Sequence, residues 1–291
     1  MNILKEFDAA LATQEKRERG YQIGEKPPYE NYLSNTAWDA YVAAMSLEHR
    51  RQYGQGSGGE LEAKNGRPPK MASVASSSRF IYELSKDIPG FVFEKQLPTI
   101  VGGEANLDGY LEKENILVFV EAKRREPYSH KAIQAIKQKY KPVYSWLRDR
   151  MPRVFSCVME DLADDVHMNT VFFCRGEAVA YFDIKQMICH MLAVANEVLN
   201  SGTEKDILFL YLLFDPAELC LSEKCRAAVD QIYGDTCWVA EEYRIEEMFC
   251  HIVDYLVAEK GMVCTQERAA RVKKSFRFVR CSQKNYQEFL R

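Results

Sequence analysis

The chain predicts an α/β fold, a central mixed β-sheet flanked by helices, on three observations. Residues 116–120 are an unbroken run of β-forming apolar residues, the mark of a strand buried on both faces. A second such run, 207–214, lies far downstream and follows a helical pattern. Elsewhere apolar residues recur at helical spacing, as at Phe80, Ile81, Leu84 and Ile88, so helices interleave with strands.

From the N-terminus, residues 1–20 are charged and read as a helix, and 29–53 as a further helix around Trp38, Tyr41 and Met45. Gly54-Gln-Gly-Ser-Gly-Gly59 breaks the pattern as a flexible linker. It is no Walker loop, because no Gly-Lys-Ser/Thr follows and no buried strand precedes it. Ser76-Ser-Ser78 supplies capping hydroxyls for a helix over 76–88, and a strand at 91–97 is ended by Pro98 and Gly102-Gly103. A hairpin follows, its first strand carrying Asp108 and its second running into Glu121-Ala-Lys123. The basic stretch 130–150 reads as a helix bent or restarted at Pro142, and 155–182 as an insertion with strands near 170–174 and 178–182. A helix over 183–199 leads into the strand 207–214, and 218–260 reads as helices packed on the core. The expected organisation is a helical extension with its glycine-rich loop over 1–70, a core over 71–215 with an insertion at about 125–182, and a C-terminal helical region over 216–291.

Composition narrows the class. No apolar run reaches the length of a membrane span, and the N-terminus lacks a signal peptide's apolar stretch, so a cytoplasmic protein without a membrane partner is expected. The nine cysteines are odd in number and scattered through apolar segments such as Phe172-Phe173-Cys174, as reduced core residues are. Cys220 and Cys225 are too widely spaced for a zinc knuckle and have no second pair. The net charge of −3 gives no global support for nucleic acid, but its distribution does: residues 123–153 hold ten Lys/Arg against two acids, and 261–291 eight against two.

The chemistry concentrates in Asn106-Leu-Asp108 and Glu121-Ala-Lys123. Glu121 and Lys123 leave the end of one strand on the same face, because strand side chains alternate. A two-residue turn at Glu114-Asn115 sets Asp108 opposite Glu121, roughly 5 Å away, and one at Lys113-Glu114 makes them diagonal neighbours at about 7–8 Å. Either register puts two like charges on one face of an apolar sheet, which a divalent cation neutralises.

This spacing resembles the PD-(D/E)XK superfamily, the restriction-endonuclease-like nucleases, with Asp108 at the first acid and Glu121-Ala-Lys123 as the E-x-K element. The resemblance covers roughly residues 76–215, and Leu107 stands where the name-giving proline often sits. It implies a restriction-endonuclease-like core and a DNA-cleaving hydrolase dependent on Mg2+, which Mn2+ replaces. Asp108, Glu121 and the Ala122 carbonyl would hold the ion, and Lys123 would serve the reaction. The family's helix acid falls on Glu83, with Glu60 as runner-up, and Gln186 with His190 matches its glutamine helix, histidine standing for tyrosine. Both lie opposite the apolar stripe of Ile184, Met187, Ile188, Met191 and Ala195, where a solvent-facing position is equally expected. Nucleic acid is expected at the helix start, Ser78 and Arg79, and along Arg124, Arg125, Lys131, Lys137 and Lys139. A catalytically inactive nucleic-acid-binding or structural module is the alternative, and monomer and homodimer are both open.

Overall fold

The computed structural model describes residues 2–24, 30–56, 59–129, 132–161 and 167–291. Three helices open the chain, α1 (Ile3–Arg19), α2 (Asn35–Ala44) and α3 (Leu47–Gln55). The single helix expected over 29–53 is two, because the Ser34 and Ser46 hydroxyls each cap a new start and Met45 between them is extended. Next come α4 (Ser77–Ser85), β1 (Val92–Pro98), β2 (Glu104–Glu112) and β3 (Ile116–Lys123). The insertion holds β4 (Ile133–Lys137), α5 (Lys141–Arg150), β5 (Ser156–Asp161), β6 (His167–Cys174) and β7 (Glu177–Ala178). The chain continues through α6 (Ile184–Ser201), β8 (Asp206–Leu213), α7 (Glu223–Glu242), α8 (Ile245–Ala258), α9 (Gln266–Ser275), β9 (Phe276–Cys281) and α10 (Tyr286–Leu290).

The main sheet runs β1-β2-β3-β8-β9; β1 to β3 are antiparallel and β3, β8 and β9 parallel, so it is mixed. Each face carries its own core. Leu117, Phe119, Ile207 and Phe209 pack with α6 and α8, and Val118, Val120, Leu208 and Leu210 with α1 and α4. Alternation along fully buried strands makes this two-sided burial possible. A second sheet, β4-β6-β5 with β7 against β6, stands beside it.

Further elements differ from expectation: β5 has no counterpart among the expected strands, and the strand expected near 178–182 is only the two-residue β7. The start of the stretch read as a helix over 130–150 is the strand β4, where Gln134 and Ile136 are buried while Ile133, Ala135 and Lys137 are exposed. That period of two pairs it with β6, and Pro142 falls in the first turn of α5, where a proline is accommodated. His130 lies outside the described residues. The C-terminal region is helical over α7 to α9 but also adds β9 to the main sheet, a strand whose Arg277 and Arg280 disguise its apolar residues. All nine cysteines are free thiols. Among the described residues no helix is long and apolar enough to cross a membrane.

Candidate active site

The hairpin β2–β3 turns at Glu114-Asn115, closed by the Lys113 N–H donating to the Ile116 carbonyl at 2.9 Å. Its ladder runs from Glu112↔Leu117 to Gly109↔Val120, so Asp108 and Glu121 are the next pair along, the closer of the two registers considered. The ladder stops there because Asp108 turns its carboxylate onto the backbone: Oδ2 accepts from the Ala122 N–H at 2.7 Å. Glu121, Lys123 and Asp108 line one cavity of about 780 Å³.

Lys123 is fixed at both sides. Its ammonium donates to Glu121 Oε1 at 2.6 Å and to Gln186 Oε1 at 2.5 Å. Burial opposes the charge, yet Glu121 and Glu126 nearby hold its pKa well above the ordinary lysine value. Gln186 and His190 come from the first turns of α6, which Asp183 caps by accepting from the Gln186 N–H. One helical turn apart, they share a face, and that face meets the site. The helix is buried nearly all round, its apolar stripe serving α8 while Lys185, Gln186 and His190 of its first turns line the cavity. His190 Nδ1 lies 3.3 Å from Glu121 Oε2. Burial and the neighbouring Lys123 cation lower the imidazole pKa to about 3, so His190 is neutral.

The sequence reading missed Glu94. On β1, the rungs Phe93↔Gly109 and Lys95↔Leu107 form, while the rung between them, Glu94 and Asp108, is skipped. Glu94 has φ +52°, rare for a side chain this size and a strain of about 1–3 kcal/mol. The hairpin turns over at this rung: Phe93 and Leu111 belong to the core under α4, whereas Leu97 and Leu107 belong to the core under α6. Residues four apart in a regular strand would share a face. Three carboxylates, Glu94, Asp108 and Glu121, thus occupy neighbouring cross-strand positions. Burial, then Asp108 and Glu60, push Glu94 up to about 8. Burial, then Glu121, raise Asp108 well above its usual range, and burial lifts Glu121 to about 7 although Lys123 pulls the other way.

Other expected site residues separate into two groups. Glu60 and Ser78 line the cavity, Glu60 accepting from Lys70 Nζ at 2.7 Å and Ser78 reaching Glu94 at 3.3 Å. Glu83 does not. It lies about 8 Å further along α4 than Ser78, by helical rise, and opens on another cavity, where Arg19, Tyr21 and Lys86 bind it. Arg79 is fully buried near Glu15 rather than offered to phosphate. Arg124 is buried as well: its guanidinium donates to Glu15 at 2.7 Å and packs beside the rings of both Phe80 and Phe214. Arg125 borders the cavity but is bonded to Asp8 at 2.8 Å. Lys139 donates to the Gly102 carbonyl. Lys137 is exposed at the cavity rim, and Lys131 lies outside the described residues. Lys185, not anticipated, joins Lys137 at that rim.

The donor set suits a hard cation. The acids offer only oxygens, and the buried Oε2 atoms of Glu121 and Glu60 have no hydrogen-bond partner. Among the described residues no three or more His, Cys, Asp and Glu are gathered into a ready-made metal cluster. Magnesium does not require one, since it binds through one or two carboxylates and keeps several waters. No protein-family model, curated protein or solved structure matches the chain.

Proposed function

We propose that the protein is a restriction-endonuclease-like, Mg2+-dependent deoxyribonuclease that hydrolyses DNA phosphodiester bonds. One observation carries the reading: Lys123, held between Glu121 and Gln186, opens on the same cavity as Asp108. A lysine fixed that way beside two acids is costly in a merely structural role, because buried charges need partners of good geometry.

Asp108, Glu121 and the Ala122 carbonyl would hold the ion, Mn2+ replacing Mg2+. The bound ion supplies a Lewis acid for the phosphoryl oxygens and a more acidic water. The protein's own groups do the rest. Lys123 keeps its proton and stabilises negative charge that builds on the phosphate, and Gln186 aims it. Neutral His190 leaves Glu121 its anionic character instead of competing with a second cation. Lys137 and Lys185 at the rim meet the DNA backbone.

The test is incubation of supercoiled and linear DNA with the protein in Mg2+ or in chelator. Cleavage in Mg2+ alone is expected. DNA that is bound yet intact in both conditions would leave a binding module with this fold.

A further inference from the structure

Apart from the acidic cavity, a second one of about 620 Å³ lies among α2, the residues that follow α1 and the far end of α4. Helix α4 serves both: Ser77 and Ser78 at its start line the acidic cavity, whereas Tyr82 and Glu83 line this one. Much of the lining is aromatic. Tyr21 and Tyr41 meet edge to face at 5.8 Å between ring centres and Tyr41 and Tyr82 at 5.9 Å, and the His49 ring stands edge-on to Tyr82 at 5.6 Å. Trp38 stacks on Tyr41 and braces it. Beside Tyr41, α2 brings only short side chains to the cavity, Thr36, Ala37, Ala40 and Ala44. The three alanines recur at helical spacing, where a helix packed down on its neighbours would carry large apolar residues, so the space stays open.

The buried charge here is already matched. Glu83, its side chain 4% exposed, is held by Arg19, by Lys86 at 3.1 Å and by the Tyr21 hydroxyl at 3.1 Å, and Asp87 is exposed to water. The groups left over are neutral. The Tyr41 hydroxyl, close to Glu83, and the buried Nδ1 of His49 make no hydrogen bond among the described residues. Burial and the Glu83 anion keep Tyr41 protonated, and burial lowers the His49 pKa, so its imidazole is uncharged at neutral pH. A ligand without polar atoms would leave both groups dry and unpaired, which is costly.

We propose that this cavity binds a neutral nitrogen heterocycle of the purine class, its ring packed among the tyrosines and its polar atoms bonded to the Tyr41 hydroxyl and to His49. The size, the aromatic lining and the few polar groups are those of a small-molecule pocket. The proposal goes beyond the nuclease reading and stands or falls without it.

Calorimetric titration of the full chain with adenosine and with guanosine tests it, tetramethylammonium serving as the cationic rival for the same rings. Binding of at least one nucleoside is expected, one per chain. Ala40→Leu fills the space with a residue that suits a helix, so it should abolish binding while the melting temperature holds. Tyr41→Phe should weaken binding roughly fivefold to tenfold, the worth of one hydrogen bond. Should Tyr41→Phe melt early, Ala40→Leu decides alone. Neither nucleoside binding, binding that Ala40→Leu leaves unchanged, or tetramethylammonium binding more tightly than both nucleosides overturns the site.

Discussion

In the proposed site Asp108 would carry opposed demands: it would have to be anionic to hold an ion, yet Glu121 and Glu94 flank it and one amide anchors it. Asp108→Asn removes a ligand charge and relieves the repulsion, so metal affinity should fall while the metal-free protein melts at or above the wild-type temperature. Calorimetric titration paired with melts in chelator reads both, and a variant that binds metal as wild type does would show that Asp108 is no ligand. The same crowding sets a pH dependence. Glu94 at about 8 and Glu121 at about 7 lie above the unfolded value near 4.3. Between those limits the folded state holds more protons than the unfolded one, so metal-free stability falls as pH rises from about 5 to about 8. Melts in chelator should follow that slope for wild type and a shallower one for Glu94→Gln; equal slopes would remove Glu94 from the coupled acids.

At the scale of elements, the N-terminal helix α1 is tied to the end of β3. Glu15 and Asp8 take Arg124 and Arg125, the two residues after Lys123. Arg124→Ala removes the nearest of the three arginines around Glu15, leaving Arg79 and Arg19 at 3.5 Å, and should cost about 1–3 kcal/mol of stability, read from denaturant melts. A loss under 1 kcal/mol with weakened DNA binding would return Arg124 to the surface role first expected. That misplacement shows where sequence reasoning stops. The basic run was legible as a local count, but its partners lie 109 and 117 residues away, and no local pattern names them. The strands β3 and β8, the helices α4 and α6 and the face shared by Asp108 and Glu121 were legible, because their apolar periods and one short turn dictate them. Glu94 was not. An acid in Phe-Val-Phe-Glu-Lys-Gln reads as a solvent-facing strand residue, and only the turning over of the hairpin carries it inward. Glu83 failed for the converse reason: it stands where the resemblance implied a helix acid, but Arg19 of α1 holds it on another cavity.

At the scale of the molecule, the cavity lies where the main sheet, the start of α6 and the insertion sheet meet, with exposed Lys137 of the insertion and half-buried Lys185 of α6 at its rim. Lys137→Glu with Lys185→Glu should weaken DNA binding and flatten its dependence on salt, since each phosphate contact released lowers the slope by about one; a gel-shift titration with unchanged slope would move the DNA elsewhere. The central claim is that the acids and Lys123 form one reacting centre, and a single-turnover cleavage time course of Lys123→Ala against wild type in saturating Mg2+ tests it most directly. The account predicts roughly hundredfold slower cleavage, on the scale of losing one transition-state electrostatic contact, with metal binding retained; cleavage at the wild-type rate would contradict it.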